Sequence, residues 1–296
     1  MIISQAADTQ TVIRGYVTLT KPRIIMMLLF TALGGLFLAS RGVPDLKITL
    51  VVLIAGTLAS AGANALNQSM DRDIDKAMRR TRTRPVVLGI IPPHHAVIFG
   101  VVLNAVAFLL LASLVNVLSA ALTLGATLFY VLVYTKALKR TSTQNIVIGG
   151  AAGAIPPMVG WTAITGAIGL PAIYLFAIVF FWTPPHFWAL ALMLKDDYAR
   201  AKIPMLPVVV GIRETKKSIL LYTVLLLALT SMFYATGAVG LIYLTTSAVA
   251  GGLFIYYGLR LMKNPDIEGA KGLYLYSLLY LAIMFTGIIV DSLVKT

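Results

Sequence analysis

The sequence predicts an all-α polytopic membrane protein with nine transmembrane helices, arranged as two four-helix units plus a ninth helix around a central cavity. Three observations support this fold class. The chain of 296 residues is 59% hydrophobic and only 12% charged. Apolar runs of about 20 residues, the length that crosses a bilayer, recur along the whole chain. Charged residues are concentrated in alternate connections between these runs.

The first four spans follow from where apolar runs begin and end. Residues 1–20 form a polar amino-terminal segment, and the first span is short and opens near the "TKPR" motif. The second ends in a densely charged loop, the third begins just after a pair of prolines, and the fourth ends at a cluster of basic residues. These runs predict spans at 24–40, 47–69, 95–115 and 117–136.

The remaining five spans continue the alternation. The fifth is rich in glycine and alanine, which in a membrane helix favours close packing against a neighbour. The connections after the third, fifth and seventh spans carry no charge, whereas those after the second, fourth, sixth and eighth are charged. A missed span would break this pattern. The predicted ranges are 145–165, 171–194, 217–238, 242–261 and 273–293, within one transmembrane domain of residues 1–296.

The positive charge also predicts the orientation. Of the 24 Lys and Arg residues, 21 fall on the side of the membrane that holds the amino terminus. The positive-inside rule then places the amino terminus and the charged loops in the cytoplasm, and the carboxyl terminus outside. The basic excess is therefore a topology signal, and we expect no nucleic-acid partner. The polar amino-terminal segment resembles neither a signal nor a transit peptide, so we expect a bacterial plasma membrane.

Acidic residues form two clusters on this side. Asp71, Asp73 and Asp75 follow the second span, and Asp196 and Asp197 follow the sixth. The clusters are four spans apart, which is the basis for predicting two four-helix units. The chain has no cysteine, which excludes thiolate metal sites and a cysteine nucleophile.

The first cluster has a spacing typical of a metal site. Asn67, Asp71 and Asp75 are separated by four residues each, so they share one face if the second helix continues past the membrane surface. Asn64 would join that face, whereas Asp73 would point elsewhere. Mg²⁺ prefers such oxygens and commonly takes one or two carboxylates together with substrate phosphates. Basic residues follow at once, and Arg and Lys side chains are suited to bind the remaining phosphate charge.

The same residues carry a resemblance to a known family. The pattern of Asn67, Asp71 and Asp75 followed by "RRTRTRP" resembles the first aspartate-rich motif of the UbiA superfamily of membrane prenyltransferases. Three longer segments, "YTKALKRTSTQNIVIGGAAGAIPPMVGW", "FWTPPHFWALAL" and "DYARAKIPMLPVVVG", resemble the haem-farnesylating members of that superfamily. The resemblance runs from about Thr20 to the last span.

The resemblance implies a reaction. Farnesyl diphosphate, bound with Mg²⁺, loses diphosphate, and its C1 adds to a vinyl group of protohaem IX (haem b) to give haem O. Haem O then serves terminal oxidases directly or after conversion to haem A, so a haem A synthase or oxidase assembly factors are expected partners. One departure concerns the second acidic motif, because Ala201 stands four residues after Asp197 where many superfamily members have aspartate.

Roles follow for individual residues. We expect Asn67, Asp71, Asp75 and Asp197 to be catalytic, and these four with Asp196 to bind metal. We assign His186, Tyr134, Trp188 and Asn145 to the haem and prenyl cavity, with His186 either a ligand of the haem iron or a structural residue beside the kink that Pro184 and Pro185 predict. The residues expected to bind diphosphate are basic: Arg23, Arg79, Arg80, Arg84, Lys136, Arg140 and Lys202.

Three alternatives remain open on the sequence. A related prenyltransferase could act on a quinone precursor or a chlorophyll-type ring, and the aspartate motif alone does not exclude it. A transporter for an anionic metabolite would also have many helices, but its site is expected near the bilayer midplane, whereas these polar residues gather at one face. A haem chaperone without catalysis would leave the aspartates without a role.

Overall fold

The computed structural model describes residues 8–294, and the regular elements in that range are all helical. In order they are α1 Thr9–Thr20, α2 Pro22–Ser40, α3 Leu46–Met70, α4 Arg72–Ala77, α5 Pro93–Leu114, α6 Val117–Leu128, the π-helix π1 Phe129–Leu138, α7 Lys139–Thr141, α8 Asn145–Thr165, α9 Leu170–Met193, α10 Lys195–Arg200, α11 Leu206–Val209, α12 Gly211–Ala235, α13 Leu241–Lys263 and α14 Ala270–Val294. Nine continuous helical segments of this range are long and apolar enough to cross a membrane, the fourth being α6, π1 and α7 together. The protein is therefore an integral multi-pass membrane protein.

The long helices are arranged in a closed ring. Each packs against the next along the chain, in the order α2, α3, α5, α6, α8, α9, α12, α13 and α14. The ninth long helix, α14, then packs against both α2 and α9, and α2 also lies along α8. The arrangement into two four-helix units around a central cavity stays a prediction.

The boundaries agree closely with the sequence, with one instructive exception. The fifth predicted span coincides with α8, whereas α12 begins at Gly211, six residues before the seventh predicted span. The extra turns carry Lys216, which is buried and donates to the backbone carbonyls of Asn264 and Asp266 beyond the end of α13. A lysine that binds free carbonyls at a helix end stabilises that end, here the end of α13. The charge of Lys216 is thereby satisfied inside the bundle, and α12 can begin before this residue.

The amino-terminal segment is more ordered than predicted. Residues 1–7 lie outside the described range, but α1 occupies most of the segment expected to be only a polar terminus. Its last carbonyls accept hydrogen bonds from α3, with Asn64 Nδ2 2.9 Å from the oxygen of Thr20 and Gln68 Nε2 2.9 Å from that of Leu19. Asn64 therefore anchors α1, and its expected place on the metal-binding face stays a prediction.

The glycine-rich fifth span permits a close crossing. A Cβ on Gly160 of α8 would overlap the carbonyl oxygen of Ala32 on α2, and one on Gly35 would overlap that of Pro157. Only glycine lets the two backbones approach this closely. The close-packing interpretation of the glycine-rich segment is confirmed.

Two helices depart from expectation in opposite ways. The helix α9 runs without interruption through Pro184 and Pro185, so the prolines do not break it. The kink that they predict stays a prediction, since the two prolines supply no N–H to the carbonyls four residues earlier. The fourth membrane segment instead changes to π-helix from Phe129. Such segments change which side chains share a face and are frequent at functional sites.

Candidate active site

A row of buried polar side chains marks the carboxyl-terminal end of α3. Asn67, Asp71 and Asp75 are all buried, and their backbones remain linked, with Asp71 N 2.9 Å from Asn67 O and Asp75 N 2.8 Å from Asp71 O. Asp71 lies at the junction of α3 and α4, and the four-residue repeat continues across this junction. Asn67 Nδ2 donates to Asp71 Oδ2 at 2.7 Å. The structure thus brings the three predicted residues onto one face.

Asp73 lies apart from this row, as the spacing predicts. Its carboxylate is 65% exposed and forms a bidentate pair with Arg140, at 2.6 and 2.7 Å. Hydrogen bonding from Arg140 lowers the pKa of Asp73 below its usual value. Arg140, predicted to bind phosphate, here holds Asp73 and the carbonyl of Met70 instead.

Each buried carboxylate of the row has a cationic partner from another segment. Lys139 Nζ lies 2.5 Å from Asp71 Oδ2, and Arg84 Nη1 lies 2.5 Å from Asp75 Oδ2. Removing one partner of such a pair leaves a buried charge uncompensated, which costs about 3–5 kcal/mol. The carboxylates are therefore held in fixed positions by the loop after α4 and by the end of the fourth membrane segment.

Lys21 adds a further cation at the amino-terminal side of the row. It occupies the turn between α1 and α2 with a positive φ of 54°, and its Nζ donates to Asn67 Oδ1 at 3.2 Å. Loss of hydration lowers the pKa of Lys21 to about 7, and the neighbouring charges of Arg84 and Lys139 act in the same direction. Lys21 is therefore electrostatically coupled to two cations, Arg84 and Lys139, and to two carboxylates, Asp71 and Asp75.

The second acidic cluster lies on the other side of this region. Asp197 is buried and paired with Arg200, whereas Asp196 is exposed. The α4 and α10 segments share a hydrophobic cluster that contains Ile74 and Tyr198, and between them lies a cleft of about 250 Å³. Its lining residues are Asp73, Ile74, Ala77, Arg140, Arg200, Ala201, Lys202 and Ile203. The two acidic loops are thus neighbours at one face of the helical ring.

The row offers one donor oxygen suited to a magnesium ion. Within residues 8–294, no group of three or more His, Cys, Asp or Glu side chains is close enough to hold a metal unaided. However, Asp71 Oδ1 is buried without a hydrogen-bond partner in that range, beside the amide of Asn67. A buried, unpartnered carboxylate oxygen is costly, and it suits a cation that completes its shell with phosphate oxygens. The residues fit Mg²⁺ on this criterion.

The deeper predicted residues fall into two groups. His186 is buried on α9 and faces α14, where its Nδ1 lies 2.7 Å from Ser277 Oγ. Trp188 points toward α12, packing edge-on against Tyr222 with ring centroids 5.2 Å apart. The structure therefore does not bring Trp188 and His186 onto the same surface of α9.

Tyr134 and Asn145 lie nearer the row of aspartates. Tyr134 stacks on Tyr130 at 5.4 Å and covers Gly149, where a side chain would overlap its ring. Asn145, at the start of α8, is 1% exposed, and neither polar atom of its side chain has a hydrogen-bond partner in the described part of the chain. An orphaned buried amide costs about 1–3 kcal/mol per group, which makes Asn145 a strong candidate to contact substrate.

The other predicted phosphate-binding residues are at the surface. Arg84 is half-buried, whereas those that are exposed are Arg23, Arg79, Arg80, Lys136, Arg140 and Lys202. Lys139, which pairs with Asp71, was not among the predicted residues, whereas Lys136 and Arg140 on either side of it were. In π1 the hydroxyl of Thr135 donates to Tyr130 O, five residues earlier, and Thr135 Oγ1 in turn accepts from Asn67 Nδ2. No signal of α-helical spacing could have identified this register.

The chain is similar in sequence to membrane prenyltransferases over almost its whole length. The model of the UbiA prenyltransferase family matches residues 28–285. A Gloeothece citriformis protein named "Protoheme IX farnesyltransferase" is 48% identical over 297 residues, covering 100% of this chain and 92% of its own. A Roseiflexus protein of the same name is 48% identical over 284 residues, 96% of this chain, and the chain spans about half of that relative's length, 53%.

Solved structures share the fold at lower identity. A digeranylgeranylglyceryl phosphate synthase superimposes with a TM-score of 0.79 at 20% identity, covering 95% of this chain and 99% of the other. A UbiA homolog from Archaeoglobus fulgidus, bound to GPP and Mg²⁺, gives a TM-score of 0.66 at 18% identity, covering 93% of this chain and 99% of the other. At these identities the likeness establishes the fold.

Proposed function

The chain belongs to the UbiA prenyltransferase family, and from this premise we propose that it transfers the farnesyl group of farnesyl diphosphate to a vinyl group of haem b, making haem O. The observation that carries the proposal is the 48% identity, over the whole chain, to a protein named for this activity. The buried row of Asn67, Asp71 and Asp75 agrees with it, because the row offers metal-binding oxygens beside cations at the end of an apolar helix bundle.

The diphosphate end of the substrate would lie at the cytoplasmic ends of α3 and α9. Asn67, Asp71, Asp75 and Asp197 would hold Mg²⁺, with exposed Asp196 as an outer contributor. The ion, when bound, would neutralise the charge that develops on the leaving diphosphate. Basic side chains supply the rest of that stabilisation, since fixed charges aimed at a developing anion need no rearrangement during reaction. We assign this role to Lys139, Arg84, Lys21 and Arg200, with Arg79, Arg80 and Lys202 as peripheral contacts.

The chemistry balances with water as the third reactant. The bond from farnesyl C1 to the diphosphate oxygen breaks, and diphosphate leaves with the bonding electrons. The π electrons of the vinyl group form the new carbon–carbon bond to C1, which leaves positive charge on the carbon next to the porphyrin. Water adds to that carbon and loses a proton, giving a hydroxyethylfarnesyl substituent.

The bundle interior would exclude water until the carbon–carbon bond has formed. Tyr134 and Tyr130 stack beside the aspartate row. Their aromatic faces would stabilise the positive charge that develops on the farnesyl group by about 0.5–2 kcal/mol. We assign Asn145 to the haem or the prenyl chain, because its amide is buried with both polar atoms unpartnered among the described residues. Trp188 keeps a packing role at the α9–α12 contact.

The cellular setting is part of the proposal. We place the protein in a bacterial plasma membrane with its amino terminus and charged loops in the cytoplasm and its carboxyl terminus outside. Haem O leaving the bilayer-embedded site would pass to a haem A synthase or to oxidase assembly factors. Farnesyl diphosphate would reach the site from the cytoplasmic side, where the aspartates lie.

Purified protein incubated with haem b, farnesyl diphosphate and Mg²⁺ tests the activity. We expect a more hydrophobic pigment, separable by chromatography, whose mass equals haem b plus a farnesyl group and a hydroxyl group. Omission of Mg²⁺ should abolish it. Parallel reactions with a quinone precursor and a chlorophyll-type ring identify a different acceptor. Prenylation of either of these, with none of haem b, would overturn the proposal.

A further inference from the structure

A histidine–serine pair joins α9 to α14 in the interior of the bundle. His186 Nδ1 lies 2.7 Å from Ser277 Oγ, and both residues are buried. Ser277 is engaged twice more: its hydroxyl donates to Tyr274 O at 2.6 Å, and its carbonyl accepts from Trp182 Nε1 at 2.7 Å. Ser277 appears in none of the motifs that the sequence singled out.

Counting protons assigns the tautomer of the histidine. A serine hydroxyl has one proton, and a carbonyl oxygen can only accept, so the 2.6 Å contact with Tyr274 O uses that proton. The 2.7 Å contact with His186 is then a hydrogen bond only if Nδ1 carries the donated proton. In a neutral imidazole the other nitrogen, Nε2, is left with its lone pair.

The ring is also fixed in orientation. Trp182 stacks on one side with centroids 4.4 Å apart and an interplanar angle of 17°, and Tyr274 stacks at 4.8 Å and 24°. Because Trp182 and Tyr274 also belong to the Ser277 hydrogen-bond network, the stacking and the hydrogen bonds reinforce one another. The imidazole can neither rotate nor exchange its two nitrogens without breaking several contacts.

We propose that Ser277 is a positioning residue that holds His186 with Nδ1 protonated, so that the lone pair of Nε2 binds the iron of the haem substrate. This inference rests on the proposed function. A ligating histidine commonly donates its second ring N–H to a fixed acceptor, which sets the ring orientation, and loss of that partner typically costs 10–100-fold in metal affinity. Binding at this point would hold the porphyrin deeper than the diphosphate, since His186 lies about 10 Å of helix before the end of α9 and Asp197 lies beyond that end.

Haem binding measured by absorption spectroscopy tests the positioning role. We expect Ser277→Ala to weaken ferric haem b binding by about 10-fold or more and to shift the Soret band away from that of a histidine complex. Ser277→Thr keeps the hydroxyl and should restore both. His186→Gly should lose the histidine spectrum, and added imidazole should return it. Farnesyl diphosphate affinity should stay within about twofold in all four proteins.

Ser292→Ala is the matched control. Ser292 is a buried serine on the same helix, and its hydroxyl donates to Ile288 O at 2.7 Å without contacting a histidine. A purely structural contribution of Ser277 would make the two alanine variants alike, with reduced thermal stability and an unchanged haem spectrum. That result would overturn the inference.

Nitrogen NMR of protein labelled with ¹⁵N-histidine tests the tautomer without any substrate. The chain has three histidines, so the His186 signal can be assigned from its loss in His186→Gln. We expect a protonated Nδ1 and an unprotonated Nε2 in the parent protein, and a mixture of tautomers in Ser277→Ala. A protonated Nε2 in the parent protein would refute the assignment even if haem O is made. A protein with the expected tautomer that neither binds haem nor makes haem O would instead refute the proposed function.

Discussion

Two aspartates separated by one residue have opposite environments at this site. Asp71 is fully buried, paired with Lys139, and has one oxygen without a partner in the described part of the chain, whereas Asp73 is mostly exposed and paired with Arg140. Charge and composition are the same, so only position on the helix distinguishes them. This difference provides a direct test of the metal assignment.

We expect Asp71→Asn to reduce haem O formation by at least about 100-fold, because the change removes one charged metal ligand from the site where diphosphate must be neutralised. Asp73→Asn is the control and should retain activity within about threefold. Initial rates at saturating haem b, with folding checked by thermal unfolding in detergent, provide the measurement. Equal losses in the two variants would mean that the metal is not bound on the buried face.

The spacing of Asn67, Asp71 and Asp75 could be read from the sequence because the hydrogen-bond repeat of four continues across the α3–α4 junction. Lys139 and Ser277 could not be found in this way. Lys139, which directly follows π1, reaches Asp71 from 68 residues away, and Ser277 reaches His186 from 91 residues away. Periodicity describes one helix at a time, whereas both contacts depend on how separate helices pack.

At the scale of elements, the α2–α8 crossing is set by backbone contact rather than by side chains. Gly160 faces the carbonyl of Ala32 directly, whereas Gly153, two turns earlier on the same helix, has open space where a side chain would stand. Glycine is expected to weaken a helix, so its presence at Gly160 reflects the neighbour it must accommodate.

Gly160→Ala should destabilise the protein by about 1–3 kcal/mol, since the added methyl group overpacks the crossing and forces the helices apart. Gly153→Ala should be neutral or slightly stabilising, by up to about 1 kcal/mol, because alanine is the better helix former. Unfolding in detergent by denaturant gives both values. A neutral Gly160→Ala would show that the crossing is looser than described.

The element boundaries were largely predictable and the exceptions share a cause. Hydropathy located all nine membrane segments of residues 8–294, but it missed α1, which is interrupted by polar residues, and shortened α12, whose first turns carry charged residues. The prolines of α9 favour an interruption of the helix that the structure does not contain. In a packed bundle, neighbouring helices compensate the freed carbonyls, so Pro184 and Pro185 do not end the helix.

At the scale of the whole molecule, the charge distribution predicts which side of the membrane each loop occupies. The chain has no cysteine, so single cysteines can be introduced without background labelling. Arg82 and Ala167 are both exposed. Arg82 lies in the charged connection after the second membrane segment, and Ala167 lies in the uncharged connection after the fifth.

We expect Ala167→Cys to react with a membrane-impermeant maleimide in intact bacterial cells, and Arg82→Cys to react only after the membrane is opened. The positive-inside rule is the reason, because the loop containing Arg82 holds six of the basic residues. Reaction of Arg82→Cys alone in intact cells would invert the orientation. Reaction of both would contradict the number of crossings between the two positions.

The pairing of each buried aspartate with a basic side chain has a consequence for binding. When magnesium diphosphate arrives, the carboxylates can exchange lysine and arginine for the metal while the released cations turn to the phosphates. Every charge then changes its partner, and little net charge is added to the rim of the bilayer. On the proposed function, the diphosphate and the aspartates would be interchangeable anionic partners of the same cations, which would lower the electrostatic cost of substrate entry and product release.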